Sequence, residues 1–456
     1  MTQWQKVKVG DFLKLYRIEH RIQNNTSYKQ VTISKTKGVI FRGIKQGSNI
    51  GRKRQFLIDL DTYPNTLLFT RQGIFDGSIG IAPLEVNQCI VTENMPMMSI
   101  DTTIIEIEFL KKLLISEHFI KTIKNLKVVG SAQKSIHERD FLKIEIDIPG
   151  MVIQQKICQK FNALNIEYSD LKQEITQQQI LLKKLRQQIL QEAIEGKLTQ
   201  DWRVKNPNTE PASELLKRIQ AEKQQLIKDK KIKAQKPLSV ITEDEKLFKL
   251  PKSWVWCQVN DIANIGTGAT PLTSEPSYYG GEFNWMTSGD TGYDYVTHTK
   301  LTISKKAIQE TNCKIYPTKT LVVAMYGQGK TRGQVTELKI DTATNQACVA
   351  IQIYIFSVEA NQFLKTHFKK IYNEIRKLAQ GGAQPNLNMG KIKANVVALP
   401  PLLEQKAIVA KVEKLLSICD KLQTQITANQ THAEQLMQAV LKEAFTQSEQ
   451  PIKLTV

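Results

Sequence analysis

The sequence predicts an α+β protein built from two tandem globular domains and two long helices. The helices are expected to pair as an antiparallel coiled coil, giving a pseudo-twofold internal repeat. Three observations predict this: an apolar seam that occurs twice, a spacing near 250 residues that relates the two halves, and short β-branched runs between Gly-rich connections in each half.

The seam comes first because it organises the rest. Leu164, Tyr168, Leu171, Ile175, Gln178, Leu182, Leu185 and Ile189 follow alternating steps of four and three. Leu415, Cys419, Leu422, Ile426, Asn429, Ala433, Leu436 and Val440 repeat those steps at a constant offset of 251 residues. Such a pattern buries a narrow stripe against a partner helix. A lone helix of this kind is marginal in water, so each copy is the natural partner of the other. The two strongly polar seam positions, Gln178 and Asn429, coincide under the offset, and the expectation is that they meet and fix register.

The repeat extends into the globular parts. Trp4, Val9 and Asp11 match Trp254, Val259 and Asp261; NTLLFTRQG matches KTLVVAMYG; Pro149 and Gln154 match Pro400 and Gln405. Strands are read at 30–34, 66–70 and 89–91, with counterparts at 320–324 and 347–355. One helical stretch is expected in each half, at 105–124 and 360–378. The resulting division is a first globular domain at 1–150, a central long helix at 151–200 and a linker at 201–250. A second globular domain at 251–400, a distal long helix at 401–446 and a tail at 447–456 complete it. Within the linker, Ser213 is the expected N-cap of a helix in which eight Lys or Arg stand against three acidic residues up to Lys236. A solvated linker helix is the expected reading, with non-specific phosphate contact the alternative.

Composition bounds the function. The 456 residues carry 63 Lys plus Arg against 44 Asp plus Glu, a net charge of +19 that favours a polyanionic partner. No apolar run is long enough to span a bilayer, and the first residues lack a signal-peptide core, so a cytoplasmic protein is expected. The six cysteines are scattered without a CxxC pair, which suits buried thiols in a reducing compartment rather than zinc.

A search for an active site returns negatives. YGQGKTRG contains GKT, but Ala324 occupies the position where a phosphate-cradling loop needs glycine. NPNT at Asn206 lacks the aromatic residue that stacks an extruded base. No histidine or carboxylate spacing suggests a metal or nuclease centre. What remains are basic, amide-rich loops suited to DNA grooves: Arg42, Lys45, Arg52, Lys53, Arg54 and Arg71 in the first half, and Tyr326, Gln328, Lys330 and Arg332 in the second. The GAQ-type segments at 130–133 and 381–384 read as structural junctions.

Taken together, the repeat, LKKLRQQILQEAIEGKLTQDWR from Leu182, LVVAMYGQGKTRG with NQACVAI after it, and NVVALPPLLEQKAIVAKVEKLL resemble the specificity subunit of type I restriction-modification systems. The first-half helix entry, DIPGMVIQQKI, departs by lacking the Pro-Pro and the Glu. The resemblance implies a non-catalytic DNA reader with two target recognition domains for a bipartite, asymmetric site and a helical ruler between them. Two methyltransferase subunits would bring S-adenosylmethionine, and restriction subunits would bring ATP-driven, magnesium-dependent chemistry; the chain itself would hold no cofactor or metal. A coiled-coil scaffold and a tandem RNA-binding protein are the alternatives.

Overall fold

The computed structural model describes residues 4–51, 54–125, 135–235, 237–327, 330–378 and 387–445. The chain divides into two compact units, Met1–Thr176 with Thr427–Val456, and Gln177–Ile426. The GAQ-type segments, Arg52, Lys53 and Gln328 lie outside the described residues.

In the first unit, Trp4–Lys8 pairs antiparallel with Glu145–Pro149, Trp4 facing Pro149. A one-turn helix, Val9–Phe12, follows, and the Asp11 carboxylate accepts the Lys8 N–H at 2.7 Å. A four-stranded sheet runs in the order Leu13–Tyr16, Met97–Ile100, Thr66–Phe69 and Ile79–Ile81. Its core gathers Phe12, Leu67, Phe69, Phe109, Phe141, Cys158 and Phe161, with Val440 packed against it. A second sheet has five strands in the order Glu19–His20, Gln55–Leu57, Ile90–Thr92, Ser27–Ser34 and Gly38–Gln46. It has its own core around Val31, Ile33, Val39, Phe56, Ile58 and Val91.

The helix expected at 105–124 is two helices, Ile107–Ile115 and Glu117–Lys124. Ser116 causes the break: its backbone is extended and its hydroxyl accepts the Phe119 N–H at 3.2 Å, so it caps the second helix instead of continuing the first.

The second unit has the same local entry. Val255–Gln258 pairs antiparallel with Val396–Leu399, the one-turn helix Val259–Ile262 follows, and Asp261 accepts the Gln258 N–H at 2.8 Å. Gln405 donates to the Pro400 carbonyl at 2.9 Å, as Gln154 donates to that of Pro149 at 2.8 Å in the first unit. A five-stranded sheet orders Ala263–Thr267, Cys348–Ile353, Leu321–Ala324, Val335–Leu338 and Tyr295–Val296. A four-stranded sheet orders Leu301–Ile303, Tyr279–Met286, Thr342–Thr344 and Ile315–Tyr316. The helix Val358–Leu378 begins two residues earlier than its apolar pattern suggests.

The linker helix spans Ala212–Lys228, and its N-cap is Pro211 rather than Ser213. It is anchored as well as solvated. Ala212, Leu215 and Ile219 are buried, while Lys223 donates to the Asn260 carbonyl at 2.7 Å and lies over the Tyr354 ring. Burial lowers the Lys223 pKa.

Both long helices are present, Met151–Ile194 and Leu402–Phe445, each of 44 residues or ~66 Å. Burial along them is sparser than a full four-three seam. Ile175, Leu182 and Ile189 are buried, and so are Cys419, Ile426 and Ala433. Leu171, Leu185, Leu422 and Leu436, the alternate seam positions, are exposed. Leu164, Tyr168, Leu415 and Val440 are half-buried. Gln178 is half-buried and Asn429 exposed. Within the second unit, Arg186 donates to Asp420 at 2.7 Å and Lys411 to the Leu198 carbonyl at 2.6 Å.

Candidate nucleic-acid interface

In the first unit two of the candidate cations, Arg42 and Lys45, stand on one ribbon. Ser27–Ser34 and Gly38–Gln46 form an antiparallel hairpin, and Gly38–Gln46 is the edge strand of its sheet. The pairing passes from Val31 opposite Phe41 to Gln30 opposite Gly43, so Arg42 is the extra residue of a bulge. Gly43 accommodates it at φ +137°, a conformation that side chains other than glycine rarely adopt. The turn end of the hairpin is held in the core by Ile33 and Val39. At the opposite end Arg42, Lys45 and Lys29 are exposed, while Tyr28 and Gly47 are buried. That end is closed by Gln46 donating to Ser27 at 2.9 Å and by the Gly47 N–H donating to the Thr26 carbonyl at 2.8 Å.

Arg54 is exposed near this end, 3.8 Å from Glu19, and both side chains are so open to water that the pair contributes little. Arg71 is different. It forks onto the Glu138 carboxylate with contacts of 2.9–3.2 Å, and Arg17 donates to the same group. Burial pushes the Glu138 pKa up, but a backbone N–H and the two guanidinium groups outweigh that and leave it below the usual range. Arg71 thus has a structural partner, Glu138, that lies 67 residues away in sequence.

In the second unit the candidate loop connects Leu321–Ala324 to Val335–Leu338. Its neck is closed by the Ala324 N–H donating to Gln334 and the Gly333 N–H to Ala324, at 3.0 and 2.8 Å. Tyr326 is 39% exposed at the end of the first strand. Lys330 is exposed, and its carbonyl accepts the Tyr372 hydroxyl at 2.5 Å. Arg332 is half-buried, and its buried Nε has no hydrogen-bond partner among the described residues. The one-turn segment Ser288–Gly292 stands against this loop, with the Thr291 hydroxyl 3.3 Å from Gln334 Oε1.

Tyr293, next along the chain, is 74% exposed, the kind of aromatic that stacks on bases or lines a groove. Neither it nor Gln334 stood out from the sequence, although Tyr293 sits in a Gly-Asp-Thr-Gly-Tyr run that marks a loop tip. Nor did Phe41 and Ile44, which are 42% and 64% exposed among the cations of the first ribbon.

Among the described residues, no group of three or more His, Cys, Asp or Glu could hold a metal ion, and no helix is long and apolar enough to cross a membrane. The six cysteines are unpaired and buried.

In the second unit a mixed sheet thus carries an exposed aromatic and an exposed cation on one loop. Residues 251–429 match the family model described as the type I restriction modification DNA specificity domain. That stretch is therefore similar to such domains, in agreement with the resemblance its motifs carry. It is 30% identical over 259 residues to the type I restriction enzyme EcoEI specificity subunit of Escherichia coli, and 32% identical over 267 residues to the EcoAI specificity subunit. Each alignment covers 54% of this chain and 42% of the relative.

Two solved structures share the fold across 97% of the chain. One, from work on complex assembly and conformational transition of the type I R-M system, has a TM-score of 0.63 at 17% identity and is itself 97% covered. The other, an HsdS subunit from Thermoanaerobacter tengcongensis, has a TM-score of 0.56 at 16% identity and is 96% covered.

Proposed function

We propose that this chain is the non-catalytic DNA specificity subunit of a type I restriction-modification complex. Two target recognition domains, at 1–150 and 251–400, read the two parts of a bipartite, asymmetric double-stranded site. The reading rests on one observation above others: the specificity domain over 251–429 presents Tyr293, Tyr326 and Lys330 to solvent on adjoining loops. The net charge of +19 is consistent with it.

In this reading the long helices pair antiparallel about a pseudo-twofold axis, with Gln178 and Asn429 near it, and their length sets the spacer. The exposed seam leucines Leu171, Leu185, Leu422 and Leu436 then serve as contacts for two methyltransferase subunits. Those subunits bring S-adenosylmethionine and transfer methyl groups to adenine. Restriction subunits, joined through that core, bring ATP-dependent and magnesium-dependent chemistry. Arg42, Lys45, Arg52, Lys53, Arg54, Gln328, Lys330 and Arg332 supply DNA contacts, whereas Arg71 positions Glu138 and Arg17.

The test is sequence-resolved adenine methylation in cells carrying the chain with its methyltransferase subunit. Residues 1–150 or 250–400 would be exchanged for another recognition domain. A two-part motif is expected, with one part changing on each exchange. Methylation independent of this chain would overturn the reading and favour the scaffold alternative.

A further inference from the structure

The edge hairpin of the first unit carries more than positive charge. Cross-strand partners share a face of a sheet, so Val31 with Phe41 and Lys29 with Ile44 lie on one face, the face whose inner end, Ile33 and Val39, is buried in the core. That apolar face continues into water as a ledge of Phe41 and Ile44 with Lys29 beside it, while Arg42 and Lys45 alternate with them onto the opposite side of the same strand. Isolated exposed apolar residues are ordinary. Two of them on one face of one cation-bearing edge strand call for an occupant.

Two occupants fit an exposed edge strand, and the geometry separates them. A protein strand adding to the edge needs a regular ladder, but the bulge at Arg42 interrupts the ladder midway along Gly38–Gln46. The cations also favour a polyanion over a peptide backbone. A two-stranded ribbon matches the width of the major groove, where the apolar group on offer is the thymine C5-methyl.

We infer that Phe41 and Ile44 read thymine methyl groups in the major groove of the first half-site, while Lys29, Arg42 and Lys45 hold the flanking phosphates. This rests on the DNA-reader proposal and adds the groove, the base and the chemical group. It makes Phe41 and Ile44 specificity-determining residues, and it predicts a first half-site containing thymine.

The experiment uses the full chain with its methyltransferase subunit and duplex oligonucleotides carrying the methylated motif, with binding measured at fixed salt. Replacing thymine by deoxyuridine in the first half-site removes only the methyl. Wild type should lose about four-fold in affinity per contacted methyl, the scale of one buried methylene. Ile44→Ala and Phe41→Ala should each weaken binding to the thymine duplex and lose less, or nothing, on the change to deoxyuridine. Ile44 is so exposed that its variant leaves folding intact. Arg42→Gln should weaken thymine and deoxyuridine duplexes equally and reduce the salt slope.

Equal binding of the two duplexes by wild type would overturn the inference while leaving the reader intact. So would unstacking at the half-site, reported by 2-aminopurine and lost in Phe41→Ala, with no deoxyuridine effect; that result assigns a wedge instead. Failure of wild type to prefer the motif over a scrambled duplex would remove the reader as well.

Discussion

Glu404 offers the sharpest test of how the second unit is assembled. Its side chain is wholly buried. One carboxylate oxygen accepts the Trp254 indole N–H at 2.8 Å, and the other accepts the Thr199 hydroxyl at 2.6 Å and an Arg203 N–H. Three stretches separated by more than 50 residues in sequence thus converge on one group: the chain just after the first long helix, the start of the second globular part, and the first turn of Leu402–Phe445. Removing the carboxylate strands the Arg203 guanidinium, only 22% exposed, together with a buried indole N–H. Breaking a buried pair in this way costs about 3–5 kcal/mol; the residual exposure of Arg203 puts Glu404→Ala near the lower end, about 3 kcal/mol. For a unit of this size that lowers Tm by roughly 6–12 °C. Chemical and thermal denaturation of the full chain measure it directly. Glu404→Gln/Arg203→Met should recover a large part of the loss of Glu404→Gln alone, because no uncompensated charge remains. A Glu404→Ala change within about 0.5 kcal/mol of wild type would refute the argument, since a surface residue behaves that way.

Three further outcomes are expected. His367 is buried with its Nε2 2.6 Å from Asn395, and burial pulls its pKa down to about 4. The unfolded chain therefore takes up the proton first, and stability should fall by about 3 kcal/mol as pH drops from 6.5 to 4; His367→Asn should flatten that limb of a pH-dependent unfolding curve. Gly268 lies where an added Cβ would sit 1.6 Å from the Thr344 carbonyl oxygen. Gly268→Ala should therefore force the strand apart and cost roughly 3 kcal/mol, read by denaturant midpoint. Arg71→Ala should destabilise the first unit by about 2 kcal/mol through Glu138, with DNA affinity changed no more than that loss explains; intact stability with a large affinity loss would return Arg71 to the reading surface.

The local chemistry was legible where the signal is short-range. The capping carboxylates Asp11 and Asp261, the glutamines Gln154 and Gln405 and the two long helices follow from spacing alone, and each stands where the matched segments put it. What spacing could not supply was the identity of distant partners. Arg71 looks like a groove-facing cation until Glu138 folds against it, and Glu404 is one polar residue in LPPLLEQ until Arg203, Thr199 and Trp254 close on it. A periodic seam, likewise, states that an apolar stripe exists but not how much of it the chain itself covers. Ile175, Leu182 and Ile189 are covered, whereas Leu171 and Leu185, equally apolar and equally periodic, are left to water. The same holds on the ribbon, where Val39 and Phe41 alternate as any half-buried strand would and only the end of the core divides them. Sequence periodicity marks surfaces that must be dry. Tertiary packing decides which of them the protein dries for itself, and the remainder, at Phe41 and Ile44 and along the helix leucines, is where its partners are to be sought.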